Sequence, residues 1–84
     1  MSAAPRLEGE LTLATVGAWL DRASSLSGAG TCDLSGVTRV DSAGLAFLLE
    51  LQRRSGKSLR YTGAPSGLRR LAEFFGLVTL LGLE

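Results

Sequence analysis

Two side chains able to carry charge or a proton stand next to each other at the centre of the chain, in the run Val40-Asp41-Ser42-Ala43-Gly44-Leu45. A carboxylate beside a hydroxyl offers acceptors and one donor, and small residues after them let another backbone come close. The rest of the inventory narrows what chemistry such a pair could do. The sequence has no histidine, which removes a Ser-His nucleophilic pair and speaks against a zinc site. Its single cysteine, Cys32, permits no internal disulfide framework. Cys32 lies between Thr31 and Asp33, where a small buried hydrophobe is expected and no electropositive setting for a reactive thiol is visible. Asp33 and Asp41 qualify as acid/base groups by type only, and Asp33 reads equally well as a strand-end residue bonding nearby backbone. No Walker-type glycine loop with its lysine is present. The Gly28-Ala29-Gly30 run stands before a strand, the wrong order for dinucleotide binding. No catalytic residue, cofactor or metal is therefore expected.

The elements on either side explain why the Asp-Ser pair sits where it does. Cys32, Leu34, Val37 and Val40 form an apolar-rich segment with Ser35 and Gly36 inside it, which reads as a buried strand followed by a bend. From Leu45 the apolar positions Leu45, Leu48 and Leu49 and the stem of Gln52 recur at helical spacing, with Glu50, Arg53 and Arg54 on the other side or at the end. Asp41 or Ser42 is then the natural N-cap, accepting from one of the backbone N–H groups that a first helical turn leaves unpaired. The pair can be a cap and nothing more. The same N–H groups and the helix dipole would also hold a phosphate or a partner's carboxylate.

The stretch from residue 31 to residue 51 closely resembles the signature region of STAS domains, the family named for sulphate transporters and anti-sigma-factor antagonists. Its members share a strand ending in Asp-Leu-Ser or similar, a short turn, then Asp-Ser/Thr-x-Gly-Leu at the head of a helix. Here Asp33-Leu34-Ser35 stands for the first, and Val40, Asp41, Ser42, Gly44, Leu45 and Ala46 match the second in place. The likeness is strongest to the branch of small STAS subunits in bacterial phospholipid-transport ABC complexes. It implies a non-catalytic subunit that binds and supports the transporter's ATPase, together with its permease, in a system maintaining outer-membrane lipid asymmetry. On that reading Asp41, Ser42, Ala43, Gly44 and Phe47 form the partner-binding surface. The alternative branch is the anti-sigma-factor antagonist switched by an anti-sigma-factor kinase. There the phosphorylated serine stands directly before the glycine, a position held here by Ala43, which has no oxygen to accept a phosphoryl group. Ser42 is the remaining candidate for phosphorylation, and a phosphate there would add about −1.5 to −2 charges at a helix start.

With 84 residues, 45% of them hydrophobic and 20% charged, the chain reads as one compact domain over residues 1–84. A domain this small gains from a partner that covers apolar area. Its beginning, Met-Ser-Ala-Ala-Pro, lacks the basic and apolar regions of a signal peptide, and no apolar run reaches spanning length. A cytoplasmic location is expected, with membrane contact only through the partner. Charge is uneven: three arginines face six acids up to position 50, and six bases face two acids after it. Arg53, Arg54, Lys57, Arg60, Arg69 and Arg70 could meet anionic lipid or an acidic protein. The simpler account has Arg53 and Arg54 complementing a helix C-terminus and the others coating solvated faces. No aromatic interleaving or motif points to nucleic acid.

Elsewhere, Leu7, Gly9, Leu11 and Leu13 alternate with polar residues as in a half-exposed edge strand. Val16, Trp19, Leu20, Ala23 and Leu26 suggest one helix, capped by Thr12 or Thr15 and stopped at Ser27-Gly28-Ala29-Gly30. Ser58 to Thr62 reads as extended, with Leu59 and Tyr61 on one face and Arg60 on the other. A last helix is expected from Ser66, with Leu68, Leu71, Ala72 and Phe75 as its apolar stripe, Phe74 outside it and Gly76 ending it. Residues 77–83 either add a short strand or dock on the core or on a partner. The sum is an α/β chain with the small STAS fold: a mostly parallel mixed sheet of about four strands, the first possible as antiparallel, with helices packed on one side.

Overall fold

The computed structural model describes residues 4–83. Its elements run β1 (Arg6–Leu11), α1 (Val16–Leu20), α2 (Ala23–Ser27), β2 (Thr31–Val40), α3 (Ser42–Arg54), β3 (Arg60–Thr62), α4 (Ser66–Phe74) and α5 (Val78–Leu81). The sheet has three strands in the order β1-β2-β3, and both pairs are parallel. One face carries the buried side chains Leu7, Leu11, Cys32, Leu34 and Tyr61, with α3 packed across it. The other presents Arg6, Glu8, Glu10, Ser35, Arg60 and Thr62 to solvent. This is the α/β arrangement expected, with three strands in place of about four and with the first strand parallel.

β2 is one continuous strand of ten residues, so no bend forms at Ser35-Gly36. The ladder shifts register there instead: Arg6 faces Asp33 but Glu8 faces Gly36, and a second shift follows between Gly9 and Glu10. Each shift puts one extra β2 residue against β1, the mark of a bulge, and resets the alternation so that Val37 points into the core after Leu34. Gly36 is required at the first bulge, because a Cβ there would lie 2.9 Å from both the Leu7 carbonyl oxygen and Glu8 Cγ.

The single helix expected over 16–26 is two five-residue pieces, α1 and α2, broken at Asp21-Arg22. The break follows from what is anchored. Trp19 donates from Nε1 to the Glu10 carbonyl at 2.8 Å, and Ala23 and Leu26 turn into the core while Leu20 is left exposed. Thr15 is the residue before α1, yet its hydroxyl serves the preceding turn, accepting from Thr12 N–H and donating to the Glu10 carbonyl.

α3 is the central helix and buries Gly44, Leu45, Phe47, Leu48, Leu51 and Gln52. Tyr61 crosses beneath it, its hydroxyl donating to the Leu48 carbonyl at 2.6 Å. In α4 Leu68 and Ala72 are buried, Phe74 is exposed as expected, and Phe75 lies past the helix end, half exposed. Of the alternatives for the tail, no strand forms in residues 77–83; the segment docks on the core as a short helix. α5 buries Leu81, and Gly82 in the left-handed region turns the chain so that Leu83 N–H bonds the Val78 carbonyl and the Leu83 side chain is buried.

Candidate functional site

Parallel strands bring their carboxyl ends to one side of a sheet, and the residues after them converge there. Leu11 and Val40 are the last paired residues of β1 and β2. The turn at Thr12-Leu13 and the start of α3 at Asp41-Ser42 therefore meet at one place.

Asp41 is the N-cap of α3, in extended conformation, with Oδ1 accepting from Gly44 N–H at 3.1 Å. Its Oδ2 accepts from Leu13 N–H at 3.0 Å. The Leu13 bond first, and the helix-start N–H groups after it, hold the Asp41 carboxyl below the usual aspartate value. With both oxygens engaged, Asp41 is an acceptor already in use and not a general base aimed at Ser42.

Ser42 is the first helical residue and is exposed; Ala43 behind it is half-buried. Gly44 is buried against β1, where an added Cβ would overlap the Leu11 carbonyl oxygen. The close approach that its small size allows is therefore to the protein's own strand, not to a partner. Phe47 is also removed from the expected contact surface. It is 2% exposed and its ring lies 6.3 Å from that of Trp19 at a 41° tilt. Helical geometry explains this: Phe47 stands three positions beyond Gly44, on the side of α3 that faces α1 and the sheet.

What remains accessible is Asp41, Ser42 and part of Ala43, with a groove on either side. A wide groove of mixed character is lined by Glu10, Thr12, Leu13, Ala14, Arg39, Val40 and Asp41. A smaller apolar one of about 190 Å³ is lined by Ser42, Leu45, Ala46, Leu49, Phe75 and Leu77. Leu13, Ala46, Leu49, Phe75 and Leu77 were not among the expected site residues. Leu13 looked like an inward strand position and Phe75 like part of a buried stripe. The available signal was that Phe75 directly precedes the helix-ending Gly76; nothing local marks Leu13, which lies two residues past Leu11, the last paired residue of β1. Such an arrangement suits recognition: a hydroxyl at the lip of an apolar groove, with an ordered carboxylate beside it.

The other groups considered for chemistry are structural. Cys32 is fully buried, its thiol pushed up by desolvation and only partly drawn back by Arg22. Asp33 accepts from Ser35 N–H at 2.9 Å, and that bond holds its carboxyl low. Arg53 and Arg54 both bond Glu50, whose carboxyl is lowered to about 2 by Arg53 and then Arg54. Among the described residues no helix is long and apolar enough to cross a membrane.

A family model described as "Mlab, STAS domain" matches residues 3–82. No curated protein matches the chain.

Proposed function

The chain belongs to the STAS domain family, and from that membership we propose that it is a non-catalytic subunit of an ABC phospholipid transporter. In this reading it binds the transporter's ATPase on the cytoplasmic side and supports its assembly and activity. ATP hydrolysis then resides in the ATPase, and lipid handling in the permease and its envelope partners that maintain outer-membrane lipid asymmetry. The observation that carries the reading is the exposed Ser42 at the lip of the apolar groove between α3 and the Phe75–Leu77 segment. An apolar side chain of the ATPase would fill the groove while Ser42 exchanges a hydrogen bond at its edge. Contact with the membrane stays indirect.

The test is a tagged pull-down from gently solubilised membranes of the source cell, wild type beside Ser42→Arg. Recovery of an ABC ATPase and its permease with the wild type, and their loss with Ser42→Arg, supports the reading. Ser42 is exposed, so the arginine leaves the fold intact, which circular dichroism checks. Equal recovery with both proteins overturns the contact surface.

A second reading, the phosphorylation-switched anti-sigma-factor antagonist, keeps one observation in its favour: the Ser42 hydroxyl is exposed at a helix start. Against it, a phosphate there would meet the Asp41 carboxylate, which already holds the Gly44 N–H. Recovery of a kinase-like anti-sigma factor in the same pull-down, with phosphate on Ser42 by mass spectrometry, would favour this branch.

A further inference from the structure

The far edge of the sheet, away from the Asp41-Ser42 site, has its own unused binding capacity. Arg60 N–H donates to the Gly30 carbonyl at 2.9 Å, which fixes the direction in which β3 turns its backbone groups. Successive residues of a strand point their N–H and C=O to opposite sides, so those of Tyr61 point away from β2, towards the open edge. Among the described residues no further strand pairs with them.

Two adjoining grooves run along that edge. One, of about 610 Å³, is lined by β3 and the Lys57-Ser58-Leu59 run before it, together with Leu81 and Gly82. The other, of about 360 Å³, is lined by Gln52, Lys57, Leu59, Thr79, Leu80 and Gly82. They share Lys57, Leu59 and Gly82. At the start of the edge the Gln52 amide nitrogen donates to the Leu59 carbonyl at 2.9 Å and to the Leu81 carbonyl at 3.4 Å. The Gln52 carbonyl oxygen is buried and has no donor among the described residues. A buried acceptor in that condition is uncommon and points to a missing donor.

Charge selects the occupant. Lys57 and Arg60 are exposed along the grooves, and among the described residues no acidic side chain lines either one. A second copy of the chain pairing edge to edge would crowd both lysines and both arginines along one short ladder, an unfavourable arrangement. An acidic strand would meet opposite charge at the same positions.

We infer that the open edge of β3 is a docking site for an extended, acidic segment of a partner polypeptide, which adds as a fourth strand. Its backbone pairs with Tyr61 N–H and C=O, and its carboxylates lie against Lys57 and Arg60. This surface is separate from the Ser42 groove, so it stands whether or not the transporter reading does.

The experiment uses the whole chain and two fluorescein-labelled peptides, Gly-Glu-Val-Thr-Val-Glu-Gly and its counterpart with lysine for glutamate. Fluorescence anisotropy measures affinity, and amide NMR shifts locate the contact. Binding of the acidic peptide alone, with the Tyr61 and Thr62 amides moving, is the expected result. Lys57→Glu with Arg60→Glu should weaken it about tenfold or more, while Ser42→Arg leaves it unchanged. Both charge-reversed positions are exposed, and circular dichroism confirms that the variant folds. Four results overturn the proposal: no binding at millimolar peptide, equal binding of both peptides, shifts centred on Ser42 and Leu49, or self-association of the chain through the Tyr61 amide.

Discussion

Leu13 and Asp41, 28 positions apart in the chain, are joined by one hydrogen bond in which the Leu13 backbone N–H donates to Asp41 Oδ2 at 3.0 Å. The other oxygen of the same carboxylate caps α3 through Gly44 N–H. One side chain thus fixes the helix start and the turn after β1, the two segments that border the Ser42 site. The consequences of that arrangement, and of the packing beneath it, can be measured.

Replacing Asp41 with Asn keeps one acceptor oxygen and removes the other, so the cap or the Leu13 bond survives but not both. Faster hydrogen exchange at the Leu13 amide with little change at Gly44 is the expected outcome. The pH dependence follows from the sign of the shift. The folded carboxyl lies below its ordinary value of 3.8, so its contribution is full above that value and is lost as pH falls through the folded one. Urea midpoints of the wild type should therefore drop more steeply below about pH 4 than those of Asp41→Asn. Parallel curves would show that the carboxylate is not held as described.

Gly44→Ala forces a methyl group against the backbone carbonyl of Leu11, which has no flexible end to move aside. Overpacking of this kind costs about 1–3 kcal/mol, and urea unfolding should show a loss in that range or above it. A gain in stability, as expected for an alanine placed in an open helix, would contradict the close approach of α3 to β1.

Tyr61→Phe removes the hydroxyl that bonds the Leu48 carbonyl and should lower stability by about 1 kcal/mol. Burial also raises the Tyr61 phenol far above its usual value. Because the folded form keeps the proton that the unfolded form releases near pH ~10, stability falls as pH rises past that point. Ultraviolet titration should show phenolate appearing only together with unfolding. A reversible phenolate signal from the native chain would mean that the ring is open to water.

The helix start was legible because capping is local: a carboxylate three residues before the N–H it bonds is visible in sequence. The inward faces of α3 and β3 were legible for a similar reason, since Leu45, Leu48, Leu59 and Tyr61 repeat at the period of their elements. Ser35-Gly36 reads as a bend in sequence and is a bulge in the structure, because a turn and a bulge both use small residues and only pairing with β1 distinguishes them. Phe47, expected on the partner-binding surface, is buried instead, because the family motif fixes the helix start but not which flank the neighbouring α1 covers.

The alternation of strands and helices, a cap at Asp41 or Ser42 and the family could all be read from the sequence, because each is carried by spacings of a few residues. Tertiary structure decided what is left for a partner. It buried Gly44 and Phe47, exposed Leu13 and Phe75, folded the tail into α5 and, among the described residues, left the outer edge of β3 unpaired. These outcomes depend on which surfaces distant segments cover, and no local spacing encodes that.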